Sequence, residues 1–343
     1  MKKITIDDVA KRAGVSKGTV SAVINAKNSV KPATREHILY FMKELNFHPK
    51  GVARNLKNGF QDKSIGLIIK DLGYHFYTSI AEGVREYAYS MGYSVVISSS
   101  HDDHEREKKI SHFFSAKDIK GSIIAPTVNS KAEIEHLFRL RMINYPFVLL
   151  EDVKGIQANV VSIDNLKAIK KAVKYLINNG HKRIVHFAGP PQSSHTLERI
   201  RGFWHAFSES HLVFSKEMII SIGSDYEESF NKAKEYFIHK KHDEYPTAIV
   251  CFNDHQALAV MMALKELNIC VPDDISIIGN DDIYYSQIYP IPLTTIKAPK
   301  REIGKRAAEI LIRNIESPTL LPVEKVILDT EFIVRESTKT LIS

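Results

Sequence analysis

The chain has 343 residues, 44% of them hydrophobic, and carries a net charge of +7. That length exceeds one ordinary domain and calls for two or three folding units with a sizeable core. No apolar run reaches transmembrane length, and the polar N-terminus already follows a helix pattern. This excludes a membrane-spanning chain and a cleaved signal peptide, and the expected compartment is the bacterial cytoplasm.

Residues 5–25 read as two short helices joined by a tight turn. Thr5 and Asp8 have capping-box spacing, with Asp7 and Asp8 in the first turn where the positive helix end favours carboxylates. Val9, Ala10 and Ala13 form an apolar stripe, Gly14 ends the helix, and Ser16 caps the next one. On that second helix Val20, Val23 and Ile24 face inward, leaving Lys17, Gly18, Thr19, Ser21, Ala22 and Asn25 outward. A helix of this size fits the major groove, where Thr19, Ser21 and Asn25 suit phosphates or bases and Lys17 a guanine edge. A third helix starts at Pro32 and closes a small core through Ile38, Leu39, Phe41, Met42 and Leu45. Residues 1–63 hold 13 Lys or Arg against 5 Asp or Glu, whereas residues 64–343 hold 34 against 35. The whole cationic excess therefore sits beside the reading helix, which counterion release from DNA explains.

From Ser64 onward short apolar runs alternate with helical patterns. The runs Ile65–Ile69, Tyr93–Ser98, Gly121–Ala125, Phe147–Leu150 and Val160–Ile163 come first. Arg183–Ala188, Ala248–Phe252 and Ile275–Ile278 follow. Such alternation predicts parallel sheets wound on both faces, with too many strands for one sheet and hence two lobes. Cys251 and Cys270 lie in apolar stretches and are expected to be buried thiols.

Segment 4–59, ending in His48-Pro49-Lys50-Gly51-Val52-Ala53-Arg54-Asn55-Leu56-Lys57-Asn58-Gly59, closely resembles the DNA-binding headpiece of the LacI/GalR repressor family. The likeness continues over essentially the whole chain. It implies an N-terminal all-α helix-turn-helix domain (1–49), a hinge helix and linker (50–63), and an α/β two-lobed effector domain resembling periplasmic binding proteins (64–343). Lobe 1 would span about 64–163 plus 294–320, and lobe 2 about 164–293 plus 321–343, with the final strands near Val326–Arg335 in lobe 2. The resemblance adds Thr5, Ser16, Thr34, Val52, Ala53 and Asn55 to the DNA contacts and makes Leu56 a wedge that enters the minor groove at the operator centre. Many family members carry Arg where this chain has Ala22, and Gly18 also lacks a side chain. Direct readout then falls on Lys17, with Ala22 available to a thymine methyl.

Ligands of open α/β sheets bind at the carboxyl ends of the strands. By resemblance Arg199 bonds ligand oxygens, and Asn253 and Asp281 are polar contacts. Phe76, Tyr77 and Tyr226 would cover the apolar face of a ring. Glu151 or Asp152 ends the fourth strand, and Asp152 is taken as the added carboxylate. Arg, Asn and Asp together suit adjacent hydroxyls, so the expected effector is a sugar or a phosphorylated or acidic derivative, a purine or nucleoside being the alternative.

Asp281-Asp282 lacks a nucleophile at known spacing, and His101-Asp102-Asp103-His104-Glu105 reads as a helix-capping loop rather than a metal cluster. No catalytic or metal residue and no cofactor is assigned, and an enzyme is not expected. The expected protein is a homodimeric regulator, a repressor of carbohydrate genes that reads a near-palindromic operator and responds allosterically to a small effector. No leucine heptad follows the last predicted strand, which favours a dimer. A sugar-transport component and a regulator controlled by a protein coregulator are the competing readings.

Overall fold

Thr5 opens the first helix by the reciprocal bonds its sequence spacing predicts: Asp8 N donates to Thr5 Oγ1 at 3.4 Å and Thr5 N to Asp8 Oδ2 at 2.7 Å. The helix, α1 (Ile6–Ala13), ends where Gly14 turns left-handed at φ 64°. Val15 N then reaches back to Ala10 O at 3.1 Å, closing the turn. Ser16 Oγ accepts from Thr19 N at 3.1 Å and starts α2 (Lys17–Ile24), and α3 (Pro32–Glu44) follows. Val9, Val20 and Ile38 are fully buried between the three helices. Leu39 departs from expectation. It is 49% exposed, because the core side of α3 runs through Ile38, Phe41 and Met42 and the intervening position turns outward.

The computed structural model describes residues 4–24, 29–45, 47, 63–127, 134–223 and 225–341. The chain divides into two units, residues 1–62 and 63–343.

In the second unit a first lobe runs β1 (Ser64–Ile69), α4 (His75–Ser90), β2 (Ser94–Ser99), α5 (His104–Ser115), β3 (Ile119–Ile124), α6 (Glu135–Met142), β4 (Phe147–Leu149) and β5 (Asn159–Ile163). A second lobe runs α7 (Asn165–Asn178), β6 (Ile184–Ala188), α8 (Ser194–Glu209), β7 (Ile219–Ser221), α9 (Tyr226–Ile238), β8 (Ala248–Cys251), α10 (Asp254–Glu266), β9 (Ser276–Ile278) and α11 (Tyr284–Ile288). The chain finishes with β10 (Thr295–Lys297), α12 (Lys300–Glu316), β11 (Lys325–Leu328) and β12 (Glu331–Ile333). Sheet order is β11-β5-β4-β3-β1-β2 in the first lobe and β7-β6-β8-β9 in the second, with every pairing within both sheets parallel.

Both sheets are covered on two faces, which is why their strands are near-continuous apolar runs. Ile65, Leu67 and Ile69 of β1 pack with α4 and α12, while Ile68 joins the cluster of α5 and α6. In the second sheet Val185 and Phe187 face α9 and α10, while Ile184 faces α7 and α8. The helices α5, α7, α9 and α10 are each capped by an Asp or Asn just after a strand: Asp103, Asp164, Asp225 and Asn253. Helix α4 lies so close to α12 that a Cβ on Gly83 would stand 2.0 Å from Arg301 O, and one on Gly304 2.1 Å from Ile80 O.

The last strands divide differently from expectation. Strand β11 pairs with β5, Lys325 opposite Val160, and so belongs to the first lobe. Strand β10, expected in the first lobe, pairs antiparallel with β12, and bridges from Ile278 to Thr294 and from Asp281 to Lys297 tie it to the second lobe. Each short strand goes to the sheet edge that can complete its hydrogen bonds, which local apolarity does not specify. The lobes are consequently joined by three crossings, after β5, after β10 and after β11. Cys251 is buried as expected, whereas Cys270 is exposed in the turn after α10. Among the described residues no helix is long and apolar enough to cross a membrane.

Gly83→Ala is expected to destabilise the second unit by about 1–3 kcal/mol, since a methyl group must push two backbones apart. Urea unfolding followed by far-UV circular dichroism measures this, and an unchanged midpoint would contradict the close-packed helix pair.

Candidate functional site

In the first unit Lys17 and Gly18 are exposed and Thr19, Ser21 and Ala22 are half-buried. Lys17 Nζ donates to Asp7 Oδ2 at 2.9 Å, so the one charged group at the expected reading positions is steered by a carboxylate from α1. Thr5, Ser16 and Thr19 use their hydroxyls in helix caps, Ser16 Oγ lying 2.8 Å from Thr19 Oγ1. Thr34 is half-buried in the first turn of α3. Asn25, Val52, Ala53, Asn55 and Leu56 lie outside the described residues.

In the second unit a cavity of about 300 Å³ opens between the two sheets. Its wall is built from residues that follow strand ends: Lys70 after β1, Asp102 after β2, Glu151 after β4, Asp225 after β7, Phe252 after β8 and Asp281 after β9. Phe76, Tyr77, Arg199, Asn253 and Asp281, all expected from sequence, line it.

Arg199, from the second turn of α8, is only 4% exposed. Its Nε donates to Asn165 Oδ1 at 2.9 Å, Nη1 donates to the Phe252 carbonyl, and the guanidinium lies 4.4 Å from the centroid of the Phe252 ring. With the Asn280 amide oriented by this network, its oxygen accepts from Nη1 at 2.9 Å and from Nη2 at 2.6 Å. Of the five N–H donors, a single Nη2 hydrogen is left for the cavity.

Asp281 stands opposite, at φ 127°, a backbone conformation that costs a non-glycine residue about 1–3 kcal/mol. The surroundings hold it there: Asp281 N donates to Ile296 O at 2.7 Å, and Lys300 Nζ donates to the carbonyls of Asp281 and Asp282. Asp254, fully buried, accepts from Ile283 N at 2.9 Å, Ser286 Oγ at 2.6 Å and Thr295 Oγ1 at 2.5 Å, and so tethers the same loop from below. The Asp281 side chain accepts from the Tyr74 hydroxyl. Burial pushes its carboxyl up to about 7; Arg199 acts against the rise and the Asp254 charge adds to it. Burial, reinforced by the Asp281 charge, raises the Tyr74 phenol well above its ordinary value and keeps it a donor.

A second polar group meets on the other side. Glu151 Oε1 accepts from Ser193 Oγ at 2.6 Å, Ser194 Oγ at 3.1 Å and His195 N at 3.2 Å. Burial opposes its charge but is outweighed by His195, Lys70 and the Ser193 hydroxyl, which hold it at about 2. Burial, with Arg199 and Lys70 nearby, keeps His195 neutral down to about 4 against the pull of Glu151. At neutral pH the Glu151 charge is therefore upheld by Lys70 and the hydrogen bonds rather than by an imidazolium.

Two expected residues are placed elsewhere. Asp152 pairs with Lys325 Nζ at 2.9 Å and points away, while its neighbour Glu151 takes the cavity wall. Tyr226 is 38% exposed and packs on His255 at 5.8 Å, one ring outside the cavity. Lys70, Tyr74 and His195 were not anticipated. Lys70 and Tyr74 follow β1 as Phe76 and Tyr77 do, so strand-end position was the available signal. His195 likewise stands in the first turn of the helix that follows β6, so the same signal was available there.

Residues 5–50 match the family described as "Bacterial regulatory proteins, lacI family", and residues 173–338 match "Periplasmic binding protein-like domain". The chain is 32% identical over 340 residues to the HTH-type transcriptional repressor PurR of Vibrio atlanticus, covering 98% of this chain and 99% of that protein. Among solved structures it is similar to the lac repressor dimer bound to operator and the anti-inducer ONPF, with TM-score 0.74 and 27% identity over 98% of this chain and 100% of that one. It is also similar to the transcriptional regulator CelR–cellobiose complex, with TM-score 0.71 and 26% identity over 97% and 99%.

Asp281 gives the cleft a pH signature. An unfolded Asp titrates near ~3.9. With the folded group at about 7, the folded chain binds more protons across that interval, and stability falls as pH rises through it. His195, depressed to about 4, acts in the opposite sense below its unfolded value of ~6.5, so wild-type stability partly conceals the slope. Asp281→Asn is expected to gain stability relative to wild type as pH rises from 4 to 8, measured as the difference in urea midpoints. A difference that stays constant with pH would contradict the assignment.

Proposed function

The chain belongs to the LacI family of bacterial regulatory proteins and is a DNA-binding transcriptional repressor; from that premise we propose that it grips a near-palindromic operator as a homodimer and answers to a small neutral sugar bound in its cleft. The observation that carries the effector reading is the juxtaposition of aromatic faces with a charged donor and a buried acceptor. Phe76, Tyr77 and Phe252 offer ring surfaces, Arg199 a remaining N–H and Asp281 a carboxyl, all on one cavity. Sugar rings present apolar faces and hydroxyls that both donate and accept. The CelR neighbour, solved with cellobiose, supports the same ligand class.

Charge narrows that class. Among the described residues, Asp71, Asp102, Glu151, Asp225 and Asp281 share the cavity wall with only Lys70 and Arg199 as cations. Lys70 lies 3.3 Å from Asp102, and Arg199 spends most of its donors on the protein. A phosphorylated or acidic sugar would bring a further negative charge with no uncommitted counter-ion among the described residues, so a neutral ligand is favoured. The same ring faces would equally accept a purine or nucleoside, which makes those the control ligands.

On the DNA side the exposed Lys17 and the cationic excess of residues 1–63 support operator binding from the cytoplasm. For self-association, Met91 (41%), Val96 (39%) and Ile97 (42%) leave apolar surface exposed at and beside edge strand β2.

Two experiments test the proposal. A thermal-shift screen with neutral sugars, sugar phosphates and purines, run with and without operator, is expected to give shifts with neutral sugars alone. By linkage, a sugar that weakens operator binding must itself bind less tightly when operator is present. Shifts with purines alone, or with a protein coregulator and no sugar, would displace the reading. In gel retardation Lys17→Ala is expected to weaken operator binding by about 1–3 kcal/mol and to relax discrimination at the base pair it reads; wild-type affinity and sequence discrimination would remove Lys17 from the interface.

A further inference from the structure

Tyr74 belongs to the first lobe by sequence, in the loop that leaves β1, but its ring is packed into the core cluster of the second. It is only 9% exposed. Its ring stacks on His255 at 5.4 Å with an interplanar angle of 16°, and its hydroxyl donates across the cleft to Asp281. The next residue repeats the pattern, His75 meeting Tyr285 of the second lobe edge-on at 4.8 Å. The acceptor is equally fixed, since the Asp281 backbone is held by Ile296 and Lys300.

We propose that Tyr74 is a positioning residue that clasps the two lobes together through Asp281 without help from an effector, and so sets the lobe angle from which regulation starts. The inference rests on reading the cleft as the effector site. A ligand can shift a two-lobed equilibrium only through its differential affinity for the two arrangements. An internal hydrogen bond available in only one arrangement biases that equilibrium in the same way. A hydrogen bond to a charged or partly charged acceptor changes such a ratio by roughly ten- to a hundredfold. Glu151 makes a parallel contact across the cleft to Ser193, Ser194 and His195. That contact shares no residue with the Tyr74–Asp281 pair, so the pair can be removed without touching it.

The test measures the lobe-to-lobe distance directly. Spin labels are placed at Ala116→Cys in the first lobe and His239→Cys in the second, both exposed positions. The background is Cys270→Ser, with the buried Cys251 left in place. Labelled full-length chain is diluted with unlabelled chain, and pulsed dipolar spectroscopy is recorded without added ligand. The unsubstituted clasp is expected to give a narrow distribution. Tyr74→Phe, which keeps the ring stack and removes only the hydroxyl, is expected to broaden it toward longer distances. Asp281→Ala should reproduce that change, and the double variant should add nothing further, far-UV circular dichroism confirming the fold in each case. A Tyr74→Phe distribution that superimposes on the parent would overturn the proposal, as would additive effects of the two substitutions. If Tyr74→Phe fails to fold, Asp281→Ala decides alone. Because no effector enters the measurement, its failure leaves the sugar screen standing, and a barren sugar screen leaves the clasp standing.

Discussion

A carboxylate withdrawn from water has to find its partners among whatever the fold brings within reach, and Asp281 is placed where two sheets meet. Its backbone is pinned by Ile296 and Lys300, its side chain takes the Tyr74 hydroxyl, and the nearby Arg199 favours its charge. Asp254 beneath it satisfies the turn that follows. Each of these partners comes from a different stretch of chain. The group therefore reports on the mutual position of β1, β9, β10, α8 and α12 together, and a change in lobe angle must alter its contacts.

The same economy of charge separates the two units. The first concentrates cations on a small helical scaffold whose core is a handful of aliphatic side chains, which suits attraction to a polyanion. The second is nearly neutral in sum but places carboxylates around its cavity, most of them held by caps, hydroxyls or a single cation. A DNA-reading surface and a carboxylate-lined cavity make opposite demands on side chains, and the chain meets them by segregation along its length.

Much of the local architecture was legible from residue order. The capping box at Thr5, the left-handed Gly14 and the Ser16 cap are signals confined to a few neighbours, and backbone geometry makes them hold wherever the segment sits. The buried strands read equally well, because a sheet covered on both faces demands uninterrupted apolar side chains. Legibility failed where the answer depended on a partner distant in sequence. Val326 and Phe332 lie in similar short apolar strands, yet one joins the six-stranded sheet of the first lobe and the other pairs antiparallel with β10 beside the second. Glu151 and Asp152 are adjacent carboxylates, and only the position of Lys325 on one side and the start of α8 on the other shows which enters the cavity.

What the sequence determined by itself was the kind of molecule: a cationic helix-turn-helix followed by a doubly wound two-lobed domain, with Phe76, Tyr77, Asn253 and Asp281 at strand ends or on the first turns of following helices. Periodicity, caps and charge are properties of short stretches and survive without knowledge of neighbours. The tertiary structure alone decided the three crossings, the reach of Tyr74 into the opposite lobe, and how few donors Arg199 keeps for a ligand. Those outcomes follow from long-range pairing, in which each polar group takes the acceptor that the packed core delivers, and no local pattern encodes that delivery.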